Sequence, residues 1–272
     1  MKNVPDLEVV EGTTFELRPW HRAPTNSEWI CLRKCREFTN RYLAVADEFR
    51  GCRMVEVGVD QGGSTAFFWK LLQPKKLIAI ELSSEPVESV TKFLSAHDPE
   101  NRVNIHWGID QSDKTIVPDI LEQGFGAKTL DFVVDDASHL LAPSTATFEM
   151  LFPRLRPGGL FMLEDWSCDH LTERGLDNAL AKEVDGKFAA QVADSIACNG
   201  YQPSTPMSVL ICQLVVAAGR NPDWISSVRV TDGMCEVRRG PADIPHNTPL
   251  DMYSLADSTN FSELSCQYLK KS

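Results

Sequence analysis

The chain has 272 residues, enough for one large α/β domain or a core domain with an appendage. Its 43% hydrophobic and 24% charged content is ordinary for a globular protein, and a formal charge of −11 argues against a nucleic-acid partner, which needs a basic face. No apolar stretch reaches the ~20 residues of a membrane helix and the N-terminus lacks a signal-peptide pattern, so the expected location is the cytoplasm, with no membrane contact.

Residues 1–26 carry few periodic apolar positions and include Pro5, Pro19 and Pro24, so they read as an arm or lid. A helix is expected from Asn26 and Ser27, with Ser27 as its cap, through Trp29, Leu32, Phe38 and Leu43 to Phe49. From residue 53 strands and helices alternate. Residues 53–58, 76–81, 102–107, 130–135 and 160–164 read as strands, and 64–72, 85–96, 114–123 and 144–155 as the helices between them. This alternation predicts a doubly wound, mostly parallel α/β sheet. Beyond residue 170 the pattern changes. Residues 176–197 look helical, 208–217 read as a long apolar strand, and 224–238 suggest another strand, the last two adding an antiparallel edge. The expected organisation is an N-terminal helical arm over 1–50 (lid or oligomer contact), a core domain over 51–240 and a tail over 241–272. The eight cysteines are scattered. Cys31 and Cys35 lie one helical turn apart with no second pair to complete a zinc spacing, so the thiols are expected to be reduced and non-catalytic.

Three strand ends carry polar groups in a telling order. The first leads into Glu56-Val57-Gly58-Val59-Asp60-Gln61-Gly62-Gly63-Ser64, a glycine turn opening a helix, where backbone can turn tightly and a ligand can come close. The G-x-G-x-x-G spacing of dinucleotide binders is absent, because Asp60 stands two residues after Gly58. Acidic residues before and within the loop suit a cationic or hydroxyl-rich ligand better than a pyrophosphate. Glu81 ends the second strand, where a carboxylate can accept both hydroxyls of a ribose. After the third strand, Asp110-Gln111 places an acceptor for an adenine amine. Together these point to a bound adenosine.

The fourth and fifth strands deliver acids. Val133-Val134 leads into Asp135-Asp136-Ala137-Ser138-His139, and Leu160-Phe161-Met162-Leu163 into Glu164-Asp165-Trp166. If these strands are parallel neighbours, four carboxylates gather at one sheet edge with His139 beside them. Such crowding is found at a hard-cation site, or where one carboxyl is held protonated. Asp-Asp pairs also cap helices, and His139 alone is an ordinary surface residue.

With these motifs in place the chain resembles a class I S-adenosylmethionine-dependent methyltransferase over about residues 50–170, through Glu56-x-Gly58-x-x-x-Gly62-Gly63-Ser64, Glu81, Asp110-Gln111 and the Pro157-Gly158-Gly159 turn. The Asp135-Asp136-Ala137-Ser138-His139 and Leu163-Glu164-Asp165 motifs resemble more narrowly the metal-dependent macrocin and mycinamicin sugar O-methyltransferases and the related cephalosporin hydroxylase group. The resemblance implies a Rossmann-like fold and S-adenosylmethionine held by Glu56, Gly58, Gly62, Gly63, Ser64, Glu81, Asp110, Gln111 and Asp135. It implies Mg²⁺ or another divalent cation on Asp136, Glu164 and Asp165, and His139 as general base. For Asp135, orienting a neighbour or simply ending the strand stays open.

The chemistry is consistent. An alcohol is a poor nucleophile at neutral pH, so a base or a cation must activate it. Carboxylates are the donors Mg²⁺ prefers, and an imidazole with its ordinary pKa of about 6.5 suits a base. A small hydroxylated natural product, sugar or catechol bearing vicinal hydroxyls can chelate the cation through two oxygens. Trp166 is either a pocket wall or a core contact. His170 can line the pocket, and Trp20, His21 and Arg22 sit where an arm can close. Two other classes compete: a binding protein that keeps the fold without methyl transfer, and an oxidoreductase like the cephalosporin hydroxylases. The second lacks the two histidines of an iron facial triad. Nothing in the residues requires assembly, though a homo-oligomer is compatible with the arm.

Overall fold

A computed structural model describes residues 5–18, 29–127, 129–170, 205–245 and 247–256. The N-terminal segment is not the helical arm expected from residue 26 onward. Strands β1 (Leu7–Val10), β2 (Thr13–Leu17) and β3 (Ile30–Leu32) form a small sheet, and helix α1 begins only at Arg36, running to Phe49. Ile30–Leu32 pairs in parallel with Phe15–Leu17, so tertiary pairing overrides helix propensity there. The proposed cap Ser27 lies outside the described residues, as do Trp20, His21, Arg22 and the helix expected over 176–197.

From Arg53 the alternation is as expected: β4 (Arg53–Val57), α2 (Gly63–Leu72), β5 (Lys76–Glu81), α3 (Glu88–His97), β6 (Val103–Trp107), α4 (Ile116–Phe125), β7 (Leu130–Asp135), α5 (Leu141–Leu151) and β8 (Leu155–Glu164). The chain then adds α6 (Ser208–Arg220), β9 (Ile225–Val230), β10 (Met234–Arg239) and a short α7 (Met252–Ala256). Residues 208–217 are therefore helix, not strand. Their buried positions Leu210, Ile211, Leu214 and Ala217 recur at helical spacing, while Val215 and Val216 face outward. The segment expected as one strand over 224–238 is a hairpin of two.

The seven-stranded sheet has the order β6-β5-β4-β7-β8-β10-β9. Strands β4 to β8 run parallel, and β10 is antiparallel to both β8 and β9. The antiparallel strand thus lies one in from the edge, and β9 is the edge. This is a Rossmann-like, doubly wound fold. Its central strands β5 and β7 are mostly apolar because both their faces are covered, whereas the edge strand β9 is largely exposed. Val55, Val133, Phe161, Leu163 and Val237 pack with α4, α5 and α6, while Met54, Phe132, Val134, Leu160 and Met162 pack with α1 and α2. Val10, Phe15, Leu17 and Leu32 join that second core, so the small sheet shares its packing with the large one. Leu250 and Met252 pack into the first core. Strand order reverses at β4, and such a switch point opens a crevice beyond the carboxyl ends of β4 and β7.

Candidate active site

The carboxyl ends of β4, β5, β6, β7 and β8 share one sheet edge, and Glu56, Glu81, Asp135 and Glu164 end or nearly end their strands there. Successive side chains on a strand point to opposite faces. That alternation separates the members of each acidic pair. Asp135, the last residue of β7, is buried toward α5, where the Gln111 amide donates to Asp135 Oδ1 at 3.2 Å and to Thr147 Oγ1 at 2.9 Å. Glu164, the last residue of β8, is buried toward α1, where its Oε1 accepts from Lys34 Nζ at 2.6 Å and from the Tyr42 hydroxyl. Only the residues just past the strands, Asp136 and Asp165, meet at the edge. His139 Nε2 stands 3.9 Å from Asp136 Oδ1 and 4.0 Å from Asp165 Oδ2. One donor atom from each of Asp136, His139 and Asp165 falls within 4.8 Å of the others, a spacing compatible with ligands of one ion.

The backbone holds this corner under strain. His139 has φ +53° and Asp165 φ +55°, in the left-handed region that non-glycine residues rarely adopt. The Asp136 N–H donates to the Val57 carbonyl at 2.8 Å, and the Ser138 N–H to Gln111 Oε1 at 3.0 Å. Gln111 thus ties the loop carrying His139 to buried Asp135, a positioning role rather than an open ligand site.

Burial shifts the titration of these acids. Asp135 is pushed up to about 7 by burial, with the nearby Asp136 charge adding to the effect. Burial also raises Glu164 and Asp165; Asp136 adds to it in both, while Lys34 opposes it at Glu164 and His139 at Asp165. The Lys34 ammonium is itself buried, yet Asp136 and Glu164 overcome that cost and hold it above the ordinary lysine range.

On the adenosine side the glycines serve the chain's own packing as well as any ligand. Gly58 has φ +92°, and a Cβ there would lie 2.1 Å from the Asp136 carbonyl oxygen. A Cβ on Gly63 would lie 2.0 Å from the Cys31 carbonyl, and one on Gly62 would meet Val90. What closely approaches these glycines among the described residues is the chain itself, through Asp136, Val90 and Cys31. Glu81 accepts backbone N–H bonds from Val59, Asp60 and Ser83 at 2.8–2.9 Å. A carboxylate has about four acceptor positions, so roughly one is left for a ribose hydroxyl rather than two. Asp110 is exposed, and Ser112 holds its carboxyl below the ordinary range through backbone and hydroxyl bonds.

Glu56 turns inward, accepting the Thr65 hydroxyl at 2.7 Å, and burial pushes it up to about 7 against hydrogen bonds from Ser64 and Thr65. Its folded value lies above its unfolded one, so its protonated form contributes stability below pH ~4.5 that is lost as pH rises through about 7. The size is roughly 3 kcal/mol. Glu56→Gln should therefore cost least relative to wild type at pH 8 and most at pH 5, read by urea denaturation at both. A pH-independent difference would show that Glu56 is ionised throughout.

Residues 55–166 match the family profile described as a methyltransferase domain. Among curated relatives, mycinamicin VI 2''-O-methyltransferase of Micromonospora griseorubida is 30% identical over 141 residues, covering 48% of this chain and 32% of that protein. Demethylmacrocin O-methyltransferase of Streptomyces fradiae is 28% identical over 141 residues, with 48% and 32% covered. The chain spans about a third of the length of these relatives. Among solved structures, the O-methyltransferase TomG of Streptomyces achromogenes, in complex with S-adenosylmethionine, aligns with a TM-score of 0.49 at 16% identity, covering 78% of this chain and 83% of that one. MycE of the mycinamycin pathway, in complex with Mg, S-adenosylhomocysteine and mycinamycin VI, aligns with a TM-score of 0.48 at 22% identity, covering 75% and 48%.

The matched region receives two cations from outside its span, and the sequence pattern pointed to neither. Arg33 pairs with Asp60 at 2.9 Å over the glycine turn, and Lys34 reaches Asp136 and Glu164. Placing residues 27–49 in one helix hid them, since they lie in the extended strap between β3 and α1. Trp166 donates its indole N–H to the Thr231 carbonyl at 3.0 Å and packs against the core, with His170 edge-on to it. Among the buried thiols, Cys52 and Cys235 are pushed up to about 12 by burial, as befits small hydrophobes. No helix among the described residues is long and apolar enough to cross a membrane.

Proposed function

We propose that this chain is an S-adenosylmethionine-dependent O-methyltransferase that methylates a hydroxyl of a small natural-product or sugar-like metabolite with the help of a divalent cation. The observation that carries the reading is the meeting of Asp136, His139 and Asp165 beside the Gly58 turn, within residues that match a methyltransferase domain. The names of the curated relatives, O-methyltransferases of mycinamicin VI and demethylmacrocin, support a natural-product acceptor.

The donor set fits a hard cation: Asp136 and Asp165 offer oxygens within one ion's reach, and Glu164 shares the Lys34 ammonium with Asp136. A bound divalent ion would lower the acceptor hydroxyl's pKa and help orient it. The remaining work belongs to the chain. Gly58, Gly62, Gly63 and Ser64 would hold the methyl donor's amino-acid end at the β4 turn, and Glu81 and Asp110 would accept hydrogen bonds from its ribose and adenine. His139 Nε2 takes the hydroxyl proton as the oxygen attacks the methyl carbon. The carbon–sulfur bond breaks, its electron pair stays on sulfur, and the product is a methyl ether with a neutral thioether. An iron facial triad needs two histidines, and the cluster has one.

Two measurements test this. Calorimetry should show binding of S-adenosylhomocysteine and none of NAD, and incubation with hydroxylated metabolites should give a product heavier by one methylene. Failure of both S-adenosylmethionine and S-adenosylhomocysteine to bind at millimolar concentration would overturn the reading.

A further inference from the structure

Lys34 is a fully enclosed cation at this edge. Its side chain is 1% exposed, its ammonium donates to Asp136 Oδ2 at 2.8 Å and to Glu164 Oε1 at 2.6 Å, and it stands 5.6 Å from the centre of the Tyr42 ring. Two carboxylates and an aromatic face make a built cation seat. The seat overlaps the cluster described above. Asp136 is shared, with Oδ2 on Lys34 and Oδ1 toward His139. A divalent ion bound through Asp136 and Asp165 would lie a carboxylate's width from the ammonium. Recruiting Glu164 as a third carboxylate requires breaking its bonds to Lys34 and Tyr42.

We propose that Lys34 is a displaceable internal cation, a positioning residue that competes with the divalent ion for Asp136 and Glu164 and so sets the metal affinity of the site. This rests on the divalent-cation part of the proposed function. Binding of the ion pushes Lys34 off the shared carboxylates, and two cations that repel one another each weaken the other's hold. Lys34 belongs to the same strap as Arg33, whose partner Asp60 lies in the glycine turn.

The test is Mn²⁺ titration of the full chain, stripped of metal and without methyl donor, followed by electron paramagnetic resonance. Lys34→Met should bind Mn²⁺ about tenfold more tightly than wild type or better, and Lys34→Arg, which keeps the charge, within about threefold of it. Equal or weaker binding by Lys34→Met overturns the proposal. Amine acylation of the wild type, read by peptide mass spectrometry, needs no substitution and stands if Lys34→Met does not fold. Lys34 should resist labelling without metal and gain label at saturating Mn²⁺, relative to exposed Lys92; unchanged labelling overturns the proposal. Wild type that binds no Mn²⁺ at millimolar concentration overturns both this inference and the metal part of the proposed function, whereas Mn²⁺ bound with indifference to Lys34 overturns this inference alone.

Discussion

Asp136→Ala should lower methyl-transfer turnover by roughly 10²–10³ or more while leaving S-adenosylhomocysteine affinity within about threefold of wild type. Asp136 is the one carboxylate that faces both Lys34 and His139, so its removal opens the cluster from two sides. The backbone has no reason to move. The residue's N–H is held by the Val57 carbonyl, its own carbonyl lies against Gly58, and neither involves the side chain. The groups assigned to adenosine, Glu81 and Asp110, are on other strands. Two effects on stability oppose one another. The Asp136 charge is one of the influences that raise Asp135 and Glu164, so its loss relieves repulsion among buried acids, but it also leaves the buried Lys34 ammonium with Glu164 as its one remaining carboxylate partner among the described residues. A lowered melting temperature with the fold retained, and turnover lost far beyond what that lowering explains, is the expected pair of results. Chelation of wild type with EDTA should reproduce the loss. Turnover within tenfold of wild type in Asp136→Ala would remove this residue from the mechanism.

The parts of the molecule legible in the sequence are those where local pattern and tertiary context agree. Strands β5 and β7 carry the apolar runs Leu77–Ile80 and Phe132–Val134 because both their faces are buried, and the runs end at the sheet edge where the polar residues begin. The run Val209–Val216 has the same composition, yet it is helical. Its apolar residues are more numerous than the one buried face of α6 requires, and β-branched content misled where spacing would have guided. The start of α1 was misplaced because pairing of Ile30–Leu32 with β2 is a contact between segments some fifteen residues apart, invisible to a local window. For the site, the acidic pairs located the right edge, but sequence adjacency is not spatial adjacency on a pleated strand. Asp135 and Glu164 are drawn to opposite faces, and only Asp136 and Asp165 reach His139. Lys34 carried no signal at all. A lysine between Arg33 and Cys35 reads as solvated surface, and its burial depends on two carboxylates about a hundred residues and more away.

His139→Asn separates the two roles open to this residue. Asparagine tolerates the left-handed backbone that His139 adopts at φ +53°, so the loop tied down by Gln111 and Ser138 should keep its course. An amide cannot take up a proton from the acceptor hydroxyl. If His139 is the base, kcat should fall by about 10²–10⁴ with the acceptor's KM little changed and Mn²⁺ affinity within about threefold of wild type. If instead its Nε2 is a metal ligand, as its distance of about 4 Å from both Asp136 and Asp165 permits, Mn²⁺ affinity should fall at least tenfold, about 1.4 kcal/mol. The base assignment is the expected one, because the imidazole is 30% exposed and Glu164, bonded to the same Lys34 ammonium as Asp136, offers a third carboxylate in its place. Steady-state rates and Mn²⁺ titration of the same protein preparation decide between them, and an unchanged kcat would reduce His139 to a residue that shapes the loop.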